Sequence, residues 1–463
     1  MKGVLHLEQQ EKSTQKLDML HGSIWNKLIQ YALPVAATGI LEQLFNASDV
    51  AIVGNFTGSA KTVSVAAVGA NSPIVGLLLN LFIGIALGTN VVIATAIGRG
   101  DHKTVKKAVH TSVIMAVTGG FIVTILGELL IGYLLPMLNV PDEVLPYALL
   151  YIRIYLLGMP VILLYNFEAA IFRSIGETKM PLKALAVSGI INVLLNLFFV
   201  IVLHMTVNGV AIATVISNLI SSMILFIKLL RTNQLIHLDI HELRFDNNVF
   251  KKIMRIGLPS GIQSAVFAVA NIVIQSAINS LGTVVIAASS AAFNLEIFAY
   301  YVMNGFSQAC TTFTGQNYGA RQLKRCRKVL LLCIIEAAIA TASSIALVLF
   351  FGKSLLAIFN NDPQVINIGY IRLMTVFFAY TFSMLYENMS GYLRGFGISL
   401  LPAILTVIGV CGVRLLWIFT VFPAHRTFRT IMLVYPVSLA TTAVLIFIAL
   451  MIRRPSHKCQ HNI

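Results

Sequence analysis

Leu33-Pro34-Val35-Ala36-Ala37-Thr38-Gly39-Ile40-Leu41-Glu42-Gln43-Leu44-Phe45-Asn46-Ala47-Ser48-Asp49-Val50-Ala51-Ile52-Val53-Gly54 is long and apolar enough to cross a bilayer, yet it carries two carboxylates. Glu42, Asn46 and Asp49 are spaced four and then three residues apart, so a helix puts them on one face. A carboxylate in hydrocarbon costs at least a few kcal/mol, and such groups face protein or a water-filled cavity. The stretch therefore predicts a membrane helix that lines a polar pathway. The plainer alternative is that both acids only bond neighbouring helices.

Composition agrees with a membrane location. The chain has 463 residues, 57% hydrophobic and only 11% charged, with a mean hydropathy of +0.84. A soluble chain carries about a quarter charged residues. The net charge of +15 fits Lys and Arg holding loops in the cytoplasm, so no nucleic-acid partner is expected. Residues 1–23 are polar and the first apolar run is a full span, so no signal peptide is expected. Cys310, Cys326, Cys333, Cys411 and Cys459 show no metal spacing and read as packing residues. The ten histidines form no ligand pattern, and no phosphate loop, catalytic triad or ATPase motif is present. No enzymatic activity is expected.

Twelve apolar segments are expected near 24–54, 62–96, 104–135, 143–171, 182–204, 207–230, 251–280, 284–316, 326–351, 364–392, 399–422 and 428–452. If the N-terminus is cytoplasmic, 26 of the 33 basic residues fall on the cytoplasmic side. Only Lys61, Lys353, Arg426 and Arg429 then lie outside. This predicts an inner-membrane protein with both termini cytoplasmic. Its parts are a tail over 1–23, a lobe over 24–230, a linker over 231–250, a second lobe over 251–452 and a tail over 453–463. Leu235, Ile236, Leu238, Ile240 and Leu243 in the linker suggest a short interfacial helix.

The two halves repeat. Arg173-Ser174-Ile175-Gly176 followed by Pro181 matches Arg394-Gly395-Phe396-Gly397 followed by Pro402, offset by 221 residues. At that offset Leu164-Tyr165 matches Leu385-Tyr386, Gly84 matches Gly305 and Gly98 matches Gly319. Leu33-Pro34 matches Leu258-Pro259. Six helices per half makes the repeat parallel, with its axis along the membrane normal. The expected fold is all-α and polytopic, with twelve transmembrane helices in two pseudosymmetric six-helix bundles. Two such halves can rock about a central cleft.

Phe45 to Gly54, Gly98-Arg99-Gly100-Asp101 and the two Arg-x-x-Gly-x-x-x-x-Pro motifs resemble the multidrug and toxic compound extrusion (MATE) family, over about Trp25 to Arg453. The resemblance implies antiport, in which a proton or sodium ion enters while an organic cation leaves, with no other cofactor. It makes Asp49 part of the cation-coupling site. The family's fifth helix often carries Asn and then Asp four residues later; this chain has Asn192 and Asn196, so the second acid is an amide. Thr214 resembles that site's sixth-helix hydroxyl. Ion coupling is thus expected at Asp49, Glu42, Asn46, Asn192, Asn196 and Thr214. A sodium site at Asp49, Asn192, Asn196 and Thr214 stays open, though the lost carboxylate weakens it.

Other intramembrane polar groups divide. Glu128, Glu336, Arg153, Arg372 and Arg414 read as structural. Glu168 and Glu387 either line the cleft or pair with basic residues. Asn271 and Gln275 form one stripe with Asn279 and either bond substrate or neighbouring helices. Substrate contacts are expected at Glu296, Glu387, Tyr386, Asn271 and Gln275; for Glu387 the alternative is a salt bridge to Arg394. The expected partners are organic cations and membrane lipid, with no obligate protein partner. The expected function is ion-driven export of amphipathic, cationic compounds by alternating access. The alternatives are a flippase of lipid-linked saccharides, which asks for a basic cleft, and a channel or scaffold, which fits the repeat and the acids poorly.

Overall fold

A computed structural model describes residues 17–137 and 140–455. Among them the chain forms helical spans and no strand. The spans are α1 (Trp25–Phe56), α2 (Lys61–Gly98), α3 (His102–Met137), α4 (Leu145–Leu157 with Met159–Ser174), α5 (Lys179–Val202) and α6 (Val207–Arg231). The second half supplies α7 (Asn247–Asn279), α8 (Thr283–Gly319), α9 (Leu323–Ala357), α10 (Pro363–Gly395), α11 (Leu400–Ala424) and α12 (Phe428–Arg453). Eleven spans are each long and apolar enough to cross a membrane, and the bent pair in α4 makes twelve. Each expected apolar segment lies on one span.

The repeat recurs in the backbone. Gly176 and Gly397 adopt φ of 86° and 78°, a region that favours glycine. At the first, the amides of Gly176 and Glu177 donate to Arg173 and Phe172; at the second, those of Gly397 and Ile398 donate to Arg394 and Leu393. Both are the same helix-ending turn. The fifth helix of each half contains a π segment, Phe198–Val202 and Val407–Gly412. The fourth helices differ. α4 bends by 51° beside Gly158 and Pro160, whereas α10 has Ala379 and Thr381 at the matching places and runs unbroken. Proline removes an amide donor, and the kink follows.

Residues 232–246 link the halves without forming the expected helix. They run as turns and extended chain. Ile236 and Leu238 are buried against the first lobe's core, while Ile240 and Leu243 stay exposed. The strap is fastened by Lys106 to Glu242, by Lys107 to Asp246 at 2.8 Å, and by the His110 ring at 3.0 Å from the Glu242 carbonyl oxygen. Those local bonds give its backbone an alternative to helical pairing. This face of the bundle is called the linker end below.

The lobes meet through α1 and α2 on one side and α7 and α8 on the other. Their closest approaches use glycine. A Cβ on Gly84 would strike the Gly261 backbone, and one on Gly319 would strike α2 at Thr95. Both contacts lie in the half of each helix nearer the linker end. There Tyr31 and Asn90 share the Thr312 hydroxyl at 2.8 and 3.0 Å, and Gln316 donates to the Ser174 carbonyl at 2.7 Å. Residues 17–24 are ordered against both lobes. Met19 is buried beside Gly176, and its carbonyl accepts from Asn317 of α8 and Arg325 of α9.

Candidate functional site

The first lobe forms a half-open cavity of about 120 Å³ between α1, α2, α4, α5 and α6. That is room for several waters. Glu42, Asn46 and Asp49 all line it, as their spacing on α1 predicts, together with Asn192 of α5 and Thr214 of α6. Asn196 is wholly buried at its edge. The close approach of α5 to α1 depends on Gly189, whose missing side chain leaves room for the Phe45 ring. Asn192 and Asn196 sit four residues apart, so both face α1 and α6.

Asp49 is the hub, with 6% of its surface exposed. The Asn196 amide donates to Asp49 Oδ1 at 2.5 Å and to Asn192 Oδ1 at 3.1 Å. The Thr214 hydroxyl lies 3.2 Å from Asp49 Oδ2 and 2.9 Å from the Val210 carbonyl, and its one proton serves one of them at a time. Asn192 donates in turn to Ser217 at 3.4 Å. Both carboxylate oxygens thus have neutral donors, and no basic side chain among the described residues pairs with Asp49. Asn196 Oδ1 is buried without a partner. Burying a charge on neutral partners is costly, so gain or loss of a proton or cation at Asp49 changes the energetics of the whole network.

Glu42 lies two turns along α1, about 10 Å from Asp49 at 1.5 Å per residue. It faces the same cavity but joins none of the hydrogen bonds around Asp49. Ser217, Asn218, Tyr155, Tyr165 and Asn166 add further polar groups to the wall, and the sequence alone does not assign them to the site. Its available signal was the polar stripe Thr214, Ser217, Asn218, Ser221 and Ser222, one face of α6.

The residues expected to contact substrate in the second lobe do not gather around one cavity. Glu296 takes Arg372 with both oxygens, at 2.6 and 2.9 Å, and each side chain is 4% exposed. Asn271 accepts from Arg414 at 2.7 Å, which supplies the partner the sequence did not name. Gln275 donates to Asn279. Tyr386 is buried in the lobe's core. Glu387 is approached by the Ser307 hydroxyl, at 2.9 Å from its carbonyl and 3.5 Å from Oε2. The alternative ion pair is absent among the described residues: Arg394 donates to Gln263 at 3.2 Å. Seven residues along a helix share a face, but the arginine found a partner across the helix interface. Glu128 pairs with Arg153 at 3.7 Å, and Glu168 accepts from Ser222 at 2.9 Å.

Comparison with known proteins agrees with this architecture. The probable multidrug resistance protein YoeA of Bacillus subtilis is 24% identical over 437 residues, covering 92% of this chain and 93% of its own. The probable multidrug resistance protein NorM of Thermotoga maritima is 25% identical over 397 residues, covering 85% and 84%. A solved outward-facing MATE transporter of the MOP superfamily superposes with a TM-score of 0.87 at 21% identity, over 96% of this chain and 99% of that one. The MatE family model matches residues 34–198 and 259–420, one block in each lobe. With both halves of its repeat matched, the chain belongs to the MatE family, whose members here are the multidrug and toxic compound extrusion transporters.

Proposed function

We propose that this protein is a secondary exporter that moves amphipathic organic cations out of the cell in exchange for a coupling ion, by alternating access. Names of the similar proteins, multidrug resistance and multidrug export, support drug export. The observation that carries the coupling is Asp49, a buried carboxylate held by neutral donors at the wall of a polar cavity. The orientation follows from the loop charges, with the linker end in the cytoplasm and both termini there too. Contacts concentrated at that end support a state closed to the cytoplasm.

The coupling ion is a proton in this reading. Sodium prefers oxygen ligands, and here the Asn196 amide nitrogen sits between Asp49 and Asn192. Asn196 Oδ1, buried without a partner, favours a second reading: a flipped amide would offer that oxygen to sodium. Glu42 and Asn46 face the same cavity and are assigned to it as auxiliary polar groups, while Glu387 remains the second-lobe candidate for cation contact. A flippase of sugar phosphates asks for basic groups, and this cavity has acids and amides. The test is efflux from proteoliposomes under a proton gradient alone and then a sodium gradient alone. Asp49→Asn keeps the shape but removes the titration. It is expected to insert normally and lose gradient-driven efflux; wild-type efflux from that variant refutes the assignment.

A further inference from the structure

The cavity has a floor on its linker side that the coupling scheme leaves unused. Tyr165 and Asn166 of α4 line the cavity, and Glu168 follows them towards the linker end. Ser217 and Asn218 of α6 line it, and Ser221 and Ser222 follow one turn on. Glu168 and Ser222 meet there at 2.9 Å. Glu168 has no exposed surface, Ser222 is 2% exposed, and Glu168 Oε1 is buried with no partner among the described residues. A fully buried carboxylate with a single hydroxyl donor is an expensive structural element, since burial of a charge needs strong pairing. From Thr214, at Asp49, to Ser222, at Glu168, the stripe runs about 12 Å along α6 at 1.5 Å per residue.

We propose that Glu168 is the second proton site of the transporter, receiving the proton from Asp49 along the α6 stripe and passing it to the cytoplasm. This rests on the proton reading of Asp49. Asp49 gives up the proton and is left as a carboxylate. Thr214, Ser217 and the cavity waters each accept one proton and release another, so none changes its net protonation. Ser222 delivers it to the Glu168 carboxylate, and the free Oε1 faces no competing donor. Glu168 then releases it to water when the lobes part at the linker end. The ionisable groups around it leave the route open. On its own helix Tyr165 lies three residues before it, and Arg173, five residues after it, donates to Gln308 at 3.4 Å. α2 carries none beyond Lys61 and α6 none before Lys228. On α3 the nearest towards the linker end, His110, is committed to the Glu242 carbonyl, and Glu128 is paired with Arg153.

The experiment uses the full chain in liposomes with a trapped pH dye and ethidium as the cationic probe. Two rates are read: proton flux coupled to ethidium movement, and ethidium–ethidium exchange at equal pH, which needs no net proton transfer. Glu168→Gln is expected to slow the coupled proton flux by about tenfold or more, as loss of a positioned proton carrier does, while exchange persists. Ser222→Ala is expected to slow it in the same direction, with Glu168→Asp restoring part of the rate. Wild-type proton flux in folded Glu168→Gln overturns the proposal, and so does an equal loss of flux, exchange and melting temperature, which marks a purely structural role. If Glu168→Gln does not fold, unchanged flux in Ser222→Ala overturns it. Asp49→Asn is run alongside. Flux surviving in that variant, or wild-type protein that moves ethidium only on sodium, refutes the coupling scheme itself; loss in Asp49→Asn with none in Glu168→Gln refutes the path alone.

Discussion

Glu296→Gln tests the reassignment of the second lobe's acid from recognition to structure. Glu296 holds Arg372 through two parallel bonds at 2.6 and 2.9 Å, and Ser289 takes the third guanidinium nitrogen at 2.6 Å. With Glu296 3% and Arg372 4% exposed, the pair is desolvated. Glutamine preserves shape but turns one acceptor into a donor facing a donor, and it leaves Arg372 without its counter-charge. Removing one partner of a buried ion pair costs about 3–5 kcal/mol. Taking the lower figure for this lobe-sized unit, at 2–4 °C per kcal/mol, the melting temperature should fall by about 6–12 °C. The Cys310, Cys326, Cys333 and Cys411 side chains are buried, so with Cys459 replaced by serine a thiol-reactive dye reports their exposure on unfolding. The double variant Glu296→Met with Arg372→Met should recover most of the loss, because apolar replacement of a whole buried pair is often neutral. It should also still export cationic dye. A Glu296→Gln protein that melts with the wild type, or a double variant with intact stability and no binding of cations, refutes this reasoning.

Two further outcomes follow from the fold. Gly84→Ile puts a branched side chain onto the Gly261 backbone, so the lobes should fail to close at the linker end; spin labels at His102 and Gln322 should move farther apart than in the wild type, and an unchanged distance would show that this contact does not set closure. At Asp246 the Lys107 ammonium, and then the Val249 amide, hold the carboxyl below its ordinary value of 3.8. Its folded value is the lower one, so docking of the strap gains from this group above about 3.8 and loses that gain as pH falls through the depressed value. Protease cutting of residues 232–246 should therefore rise only below pH 4 in wild type and should be raised at neutral pH in Asp246→Asn; cutting that ignores both changes removes Asp246 as the fastener.

Much of this protein was already written in its one-dimensional pattern. Hydrophobic runs long enough for a bilayer fix the spans, because lipid leaves the backbone no other partner than itself. The paired Arg-x-x-Gly motifs fixed the repeat, since each needs a left-handed glycine to end its helix. Helical spacing alone placed Glu42, Asn46 and Asp49 on one face, and they share one cavity. What spacing cannot supply is the partner across a helix interface. Arg394 had an acid seven residues away on its own helix, yet it bonds Gln263; Glu296 looked available for a ligand, yet it is spent on Arg372. The linker's apolar residues suggested a helix, but bonds from α3 made them a strap. Glu168 and Ser222 lie 54 residues apart, and only the packing of α4 on α6 joins them. Local sequence sets which groups share a face because one helix has one period; which of them meet is decided by packing, where each buried polar group must find a partner from another helix.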